Sequence, residues 1–269
     1  MSVLTPSILA SLRSTPQLAS SWYYIAAATC SVCNRPEEIP VIFRYAIEHD
    51  AARTSNTPQT TSAKGSPTSL SQPASPIGSV ASFGSEDGDL FVDCASADPD
   101  LVRIIAQKTR EALLKSAALA GLAKSINSLI RLRNATPHEF REDRLIRPEL
   151  PTHEEVDRGT EFWNQVYGKV SRRVLSQMSA AYPDLAHYAI QHVYSPLLSY
   201  TGVLSAKETS FVVIACLIPQ DVNPQLKGHL KGCLNNGASK EEITSVRDLS
   251  MRICRLCGIS WKDEVASLS

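Results

Sequence analysis

Apolar side chains recur every three or four residues along most of the chain, which is the spacing of one face of an α-helix. A four-residue step over 162–178 predicts one amphipathic helix. Its apolar face carries Phe162, Val166, Val170, Val174 and Met178. Residues 186–198 continue the helical pattern, and 207–218 begins charged and becomes wholly apolar, which is typical of a helix enclosed by its neighbours. No segment alternates convincingly between apolar and polar residues, so the sequence predicts an all-α fold.

The last two helices have well-marked boundaries. One apolar face runs over 222–233 and is followed by Asn-Asn-Gly at 235–237, where the glycine supplies the left-handed conformation that ends a helix. Ser239 and Glu242 then have the spacing of a capping box, in which each side chain bonds the backbone of the other. The sequence therefore predicts two consecutive helices near the end of the chain.

A low-complexity segment interrupts the helical pattern after Glu48. From 54 to 85, 21 of the 32 residues are Ser, Thr, Pro or Gly, and Lys64 is the only charged residue. Such a segment buries too little apolar surface to offset the entropy that it loses on ordering. We therefore predict that 49–97 is a disordered insertion.

Two parts of the chain resemble each other at a fixed offset. Residues 110–121 recur as 247–258, each beginning with an arginine and ending with a glycine, and the offset is 137 residues. Upstream, 35–46 corresponds to 223–234 with an offset of 188 residues. The difference of 51 residues matches the size of the low-complexity segment. The pattern predicts one helical unit present twice, with the first copy split by the insertion.

These offsets define the predicted domains. Residues 1–48 together with 98–134 form the first unit, and 158–269 form the second. The intervening 135–157 carries interleaved acidic and basic residues, which is typical of a solvated linker.

The composition narrows the classes of function. Lys and Arg total 27 and Asp and Glu total 27, so the chain lacks the basic surface with aromatic platforms that nucleic-acid binding needs. The longest apolar run, 211–218, has eight residues, whereas a membrane-spanning helix needs roughly 20. We therefore expect neither nucleic acid nor a membrane as a partner.

The sequence gives weak signals for cellular location. The N-terminal segment has no signal-peptide charge cluster, and Ala-Ser-Leu-Ser at 266–269 does not match the peroxisomal Ser-Lys-Leu signal. The cytoplasm is the expected location, with the mitochondrion and the peroxisome as alternatives. The seven cysteines are accordingly expected to be free thiols.

One stretch near the end of the chain carries a family resemblance. Residues 228–243 read Gly-His-Leu-Lys-Gly-Cys-Leu-Asn-Asn-Gly-Ala-Ser-Lys-Glu-Glu-Ile. This stretch resembles the carboxymuconolactone decarboxylase family, in which a helix bearing a histidine runs into an Ala-Leu-Asn-Asn-Gly turn and a second helix. In the first half, 110–129 is similar to the family's last helix. The resemblance implies an all-α, alkylhydroperoxidase D-like fold and a homo-oligomer of several copies around a symmetry axis.

Members of that family divide into thiol peroxidases and lactone decarboxylases. The peroxidases carry a Cys-x-x-Cys pair whose second cysteine lies four residues before the histidine, and those positions hold Val222 and Gln225 here. In the first half, Val41 stands at the histidine position, and Cys30 and Cys33 lie four residues too early. The resemblance therefore makes a thiol peroxidase the weaker alternative.

The decarboxylase branch implies proton chemistry at His229. Loss of a carboxylate from a lactone leaves a dienolate that must be stabilised and protonated. His192 and Tyr194, in the preceding helix, are the candidate substrate-binding residues. The family's upstream acid falls on Leu197, and Glu208 is interpreted as a solvated charge in the first turn of a helix.

These residues predict a protein that binds or transforms a small organic acid or lactone in an apolar cavity between helices. His229 is its candidate catalytic residue, and an enzyme of this kind would be a lyase. No cofactor is expected, and no metal site, because a spacing of five places His187 and His192 on different faces of an α-helix. The alternative is a catalytically inactive, helical interaction protein.

Two Cys-x-x-Cys pairs remain, at 30–33 and 254–257. Four thiolates are what a structural zinc site needs, but the two pairs are far apart along the chain. The 137-residue offset places the second pair on two alanines of the first half. Small apolar packing is therefore the preferred interpretation, and a zinc site or disulfide exchange is the alternative.

Overall fold

The computed structural model describes residues 2–50, 97–147 and 152–268, and within these ranges its secondary structure is helical without strands. The prediction of an all-α fold is confirmed. The helices are α1 (Pro6–Arg13), α2 (Trp22–Val32), α3 (Glu38–Asp50), α4 (Pro99–Ala120), α5 (Leu122–Ala135), α6 (His153–Tyr167), α7 (Ser171–Ala181), α8 (Pro183–Tyr188), a π-helix (Ala189–Leu198), α9 (Ala206–Leu217), α10 (Asn223–Asn235) and α11 (Lys240–Leu256).

Helices α2 and α9 lie at the centre of the fold. Every residue of α2 is buried, and so is 209–217 of α9. Neither stretch contains a charged residue, so full enclosure leaves no charge in the core. Helix α2 packs against α3, α4, α9 and α11, and α4 also packs against α9. The core therefore runs continuously between the two halves of the chain.

A second group of helices packs on this core and positions α10. Helix α6 packs against both the π-helix and α10. Gly159 and Gly232 mark the closest approaches: a Cβ on Gly159 would lie 2.5 Å from Ser195 Cα, and one on Gly232 would lie 2.9 Å from the Val166 carbonyl oxygen. Glycine is needed at both positions because any side chain would push the two helices apart.

The helix predicted over 162–178 is in fact two helices. Helix α6 ends at Tyr167, Gly168 has a φ of 53°, and a short 3-10 turn leads into α7. A backbone in the left-handed region cannot continue a right-handed helix, and glycine adopts it without a steric penalty. Val170, which the periodicity placed on the buried face, is 37% exposed at this turn.

The segment predicted as a helix over 186–198 is helical, but most of it has π geometry. Ser199 N–H donates to the Tyr194 carbonyl oxygen at 2.8 Å, a five-residue step. Pro196 lies inside the segment and has no amide hydrogen, so the α-type bond at that position is missing. The wider turn brings the rings of His187 and His192 to 5.9 Å, which corrects their expected separation on different faces.

Lys115 of α4 is fully buried and binds the end of the π-helix. Its Nζ donates to the carbonyl oxygens of Leu198 at 3.2 Å and Tyr200 at 2.8 Å, and to Thr209 Oγ1 at 2.9 Å. Burial lowers the pKa of Lys115 to about 8, although the nearby Glu111 carboxylate favours the charged form. One ammonium group thereby joins α4, the π-helix and α9.

Arg147 is an exception to the solvation that the sequence predicts for 135–157, where His138, Glu139 and 142–146 are exposed. Its side chain is 16% exposed, pairs with the buried carboxylate of Glu111, and donates from Nε to the Pro196 carbonyl oxygen at 3.0 Å. Glu111 also lies 3.6 Å from Lys115 Nζ. We call Glu111, Lys115 and Arg147 the Lys115 network.

The predicted insertion begins slightly later than expected. Helix α3 continues to Asp50, whose carboxylate pairs with Arg13 at 2.7 Å and accepts from Trp22 Nε1 at 3.2 Å. The prediction of disorder covers 49–97, and 51–96 of these residues lie outside the described part of the chain. The division into two related units stays a prediction. Across the described ranges, no helix is both long enough and apolar enough to cross a bilayer.

Candidate functional site

The predicted catalytic residue, His229, lies in the middle of α10. This helix begins with Pro224 in its first turn and is followed by Gly237, whose φ is 88°. Leu226 and Leu230 of the same helix are buried, whereas the imidazole of His229 is only partly enclosed. The predicted end of this helix and the Ser239–Glu242 capping box that follows are both confirmed.

Tyr167, the last residue of α6, is the partner of His229. The Tyr167 hydroxyl lies 3.3 Å from His229 Nε2, and the two rings meet edge to face with centroids 5.7 Å apart. The turn at Gly168 ends α6 at this point, and the close approach at Gly232 brings α10 against it. The local backbone therefore fixes the contact between the imidazole and the phenol.

Aromatic rings surround this contact on the side of the core. Tyr167 lies beside Tyr194 of the π-helix, one of the two predicted substrate-binding residues, and is close enough for each phenol to affect the other's pKa. Trp163 packs on Tyr167 with centroids 4.2 Å apart and on Tyr194 with centroids 4.8 Å apart. We call Trp163, Tyr167, Tyr194 and His229 the His229 cluster.

Burial favours the uncharged forms of the three titratable members of the His229 cluster. It lowers the pKa of His229 to about 4, and it raises the pKa values of Tyr167 and Tyr194. A neutral imidazole has one donor and one acceptor nitrogen, and each phenol both donates and accepts. The Tyr167 hydroxyl can therefore either donate to His229 Nε2 or accept from it.

Tyr167 was not singled out from the sequence. A signal was present, because Trp163 and Tyr167 have the i, i+4 spacing that stacks side chains on one helix face, and Gly168 follows at once. That spacing alone does not distinguish a site from ordinary core packing. Only the contact with α10 makes Tyr167 a partner of the histidine.

His192, the other predicted substrate-binding residue, lies elsewhere. Its exposed ring contacts His187 at 5.9 Å and Tyr188 at 5.6 Å between centroids. Within the described residues, the ring and hydrogen-bond contacts of His229 go to Tyr167. The structure therefore brings Tyr194 to the His229 cluster and leaves His192 on a different surface.

The structure corrects the interpretation of Glu208 as a solvated charge. Its side chain is 17% exposed, pairs with Lys108 at 2.5 Å, and accepts from the Tyr24 hydroxyl at 3.4 Å. It also closes a capping box with Ser205 at the start of α9. Burial alone would raise the pKa of Glu208, but hydrogen bonds from Lys108 and Ser205 outweigh burial and lower it.

Two cavities lie away from His229. The first, about 200 Å³, is a shallow groove between α1 and α3, and it includes Val41, the residue that corresponds to His229 in the predicted repeat. The second, about 260 Å³, lies between the start of α2 and α4, and its lining includes Tyr23, Asp50 and Lys108. Neither cavity includes a member of the His229 cluster. No group of three or more His, Cys, Asp or Glu side chains in the described ranges is arranged to hold a metal ion.

The chain is similar to known proteins over most of its length. The model of the carboxymuconolactone decarboxylase family matches residues 183–258, which include Tyr194 and His229. Peroxisomal protein 2 of Saccharomyces cerevisiae is 37% identical over 279 aligned residues, covering 94% of this chain and 94% of that protein. Peroxisomal protein 2 of Schizosaccharomyces pombe is 43% identical over 161 residues, covering 60% of this chain and 75% of that protein. No solved structure matches the chain significantly.

Proposed function

The chain belongs to the carboxymuconolactone decarboxylase family, and we propose that it binds a small organic acid or lactone beside His229 and transforms it by acid–base chemistry. One observation carries the proposal. The imidazole of His229 occupies the family's histidine position, is partly buried, and has a 3.3 Å contact with Tyr167 as its hydrogen bond. It therefore keeps hydrogen-bonding capacity for a ligand.

The charge state of His229 suits an anionic ligand. Desolvation lowers its pKa to about 4, so the free protein presents a neutral imidazole. A carboxylate that binds beside the ring favours the imidazolium form, because opposite charges in a poorly solvated site attract strongly. Binding of an organic acid would thus draw a proton to His229, and His229 would return that proton to the dienolate carbon after the carboxylate is lost.

Tyr167 and Tyr194 would assist in this scheme. The Tyr167 hydroxyl, which touches Nε2 of His229, can turn to donate to the oxygen on which negative charge develops. Tyr194, which is buried, lies beside that phenol on the core side. Trp163 and the two phenols supply an apolar wall, which strengthens each polar contact by excluding water.

The test measures the turnover of carboxymuconolactone, the compound in the family's description, by ultraviolet absorbance. His229→Gln keeps a side chain of similar size without a titrating group. It should lower turnover by about 100-fold or more, because a positioned proton donor contributes about 10²–10⁴ in rate. His187→Gln is the matched control, since that histidine is exposed, and it should leave the rate unchanged.

The proposal fails if His229→Gln turns the lactone over at the wild-type rate. It also fails if the wild-type protein neither consumes the lactone nor changes its tryptophan fluorescence when the lactone is added. The second result would favour the inactive interaction protein. That alternative has its own support, because Tyr182, Leu185 and Tyr188 form an exposed apolar surface near α8.

We also propose that the protein resides in the peroxisome and assembles as a homo-oligomer. The two relatives named Peroxisomal protein 2 favour the peroxisome over the cytoplasm, and the exposed apolar surface near α8 is available to a second copy. Co-localisation of the tagged chain with a peroxisomal marker tests the first point. Light scattering of the purified chain tests the second, and a monomer at all concentrations would contradict it.

A further inference from the structure

Helices α2 and α11 end in the same way, each with a Cys-x-x-Cys pair in its final turn. The Cys30 carbonyl accepts from the Arg35 N–H, and the Cys254 carbonyl accepts from the Ile259 N–H, both at 2.9 Å. Cys33 and Cys257 are the C-cap residues of the two helices. These matched caps hold both pairs in the same local geometry.

The two pairs meet, although about 220 residues separate them along the chain. The sulfur atoms of Cys33 and Cys254 are 4.0 Å apart. Cys257 also lies close enough to Cys30 and Cys33 for their charges to interact. Helix α11 packs along α2, so its final turn lies beside that of α2. We call these four residues the thiol cluster.

Exposure divides the thiol cluster into two kinds of cysteine. Cys30 and Cys254 are fully buried, whereas Cys33 and Cys257 are partly exposed. The neighbouring thiols of Cys30 and Cys33, together with the positive charge of Arg35, lower the pKa of Cys257. The pKa values of Cys30 and Cys33 are raised, because the neighbouring thiols and burial favour their protonated forms. Cys33 and Cys257 are therefore the two cysteines of the cluster that an oxidant in solvent can reach, and Cys257 is the one that ionises more readily.

We propose that the thiol cluster is an oxidisable site, at which a hydroperoxide reacts with Cys257 and a disulfide then forms between Cys257 of α11 and Cys33 of α2. The proposal goes beyond the chemistry proposed at His229 and does not depend on it. It develops the alternative of disulfide exchange at the two pairs, while Cys30 and Cys254 are buried in the core as the packing interpretation expected.

Both steps balance in atoms and electrons. The Cys257 thiolate attacks one oxygen of the hydroperoxide, the O–O bond breaks, an S–O bond forms, and the released alkoxide or hydroxide takes a proton from water. The Cys33 sulfur then attacks the sulfur of the Cys257 sulfenic acid, and hydroxide leaves and combines with the Cys33 proton as water. Two thiols are oxidised to a disulfide, and the hydroperoxide is reduced to an alcohol, or to water, with release of one further water.

Two features distinguish this site from the alternatives. Structural zinc needs four thiolates directed at one point, and no group of three or more such ligands in the described ranges has that arrangement. The family's peroxidase positions hold Val222 and Gln225 on α10, so the thiol cluster does not coincide with them. A disulfide here would connect the first core helix to the last helix of the chain.

The experiment maps disulfides in the folded, full-length chain after treatment with hydrogen peroxide and blocking with N-ethylmaleimide. Cys94→Ser is the background, because Cys94 lies outside the described residues. Trypsin cuts after Arg252 and Arg255, so Cys254 and Cys257 fall in different peptides. We expect the Cys257 peptide joined to the α2 peptide, and a Cys30→Ser version assigns the bond to Cys33.

Single variants give the rate test. Cys257→Ser should slow the loss of thiols by about tenfold or more, because the reactive thiolate is removed. Cys216→Ser, which changes a buried cysteine of α9 outside the thiol cluster, should react at the wild-type rate. His229→Gln should also react at that rate, which separates this result from the test of the proposed function.

Three outcomes would overturn the proposal. Peroxide treatment that leaves Cys33 and Cys257 alkylated shows that the site does not oxidise. A disulfide confined to Cys30 and Cys33 shows that the two helices do not join. One zinc ion per chain that protects all four thiols from alkylation shows a metal site instead. The mapping uses protein with all four thiols intact, so a variant that fails to fold does not affect it.

Discussion

Lys115 and His229 are both nitrogen bases withdrawn from water in one helical body, and they differ in how their polar atoms are satisfied. Lys115 donates three hydrogen bonds and pairs with a buried carboxylate. Among the described residues, His229 has one polar contact, at 3.3 Å, with the neutral phenol of Tyr167. A fully satisfied ammonium group holds helices together and has no capacity left for a ligand. An imidazole with one long hydrogen bond stabilises little and remains open to chemistry.

The largest expected effect comes from removing the negative charge of the Lys115 network. Glu111→Gln leaves the charges of Lys115 and Arg147 without their carboxylate in a buried site, and breaking such a pair costs about 3–5 kcal/mol. Urea unfolding should show a loss of that size. Asp100→Asn, which breaks the exposed pair with Arg103, is the control and should cost about 1 kcal/mol or less. Equal losses in the two variants would contradict a structural role for the network.

A smaller effect is expected where α10 approaches α6. Gly232→Ala places a Cβ 2.7 Å from Val166 Cγ1 and 2.9 Å from the Val166 carbonyl oxygen, so the helices must separate. Overpacking of this kind costs about 1–3 kcal/mol, and thermal unfolding measures it.

Gly228→Ala is the matched control on the same helix. Its Cβ would lie 3.8 Å from Tyr167 Cε1, which is an ordinary contact, so the gain in helix propensity should stabilise the protein by up to about 1 kcal/mol. Stabilisation by Gly232→Ala as well would show that close approach does not fix the contact between His229 and Tyr167.

The smallest expected effect is a loss of folding stability at acidic pH, and its direction follows from the lowered pKa of His229. The folded protein holds the pKa of this imidazole at about 4, against 6.5 for the ordinary group, so the unfolded chain binds a proton first. Stability is therefore lost as the pH falls from 6.5 towards 4. Because the ring is partly exposed, solvent screening reduces the expected loss to about 1–2 kcal/mol.

The measurement is urea unfolding at pH 7 and pH 4.5. His229→Gln should reduce the loss between these two pH values, because glutamine does not titrate. His187→Gln should leave it unchanged, since that ring is exposed. An undiminished acid dependence in His229→Gln would place the titrating group elsewhere and weaken the comparison with Lys115.

Local sequence signals predicted the helix boundaries correctly where a residue type sets the start or the end of the helix. The Ser239–Glu242 capping box and the end of α10 before Gly237 are present as expected, because both depend on contacts within a few residues. Periodicity failed at Gly168, because the four-residue step runs on through a residue that breaks the helix. It also missed the π-helix, which depends on Pro196 and on the packing of α6 around it.

The sequence by itself determined the helical class, the family and the position of His229 on α10, since these follow from spacing and from residue identities close together in the chain. Tertiary structure decided the partners. Tyr167 meets His229 from 62 residues away, Arg147 meets Glu111 from 36 residues away, and the two cysteine pairs converge across about 220 residues. Periodicity shows which face of a helix is buried, but it does not show which other helix packs against that face. That choice depends on how all the helices fill one core together.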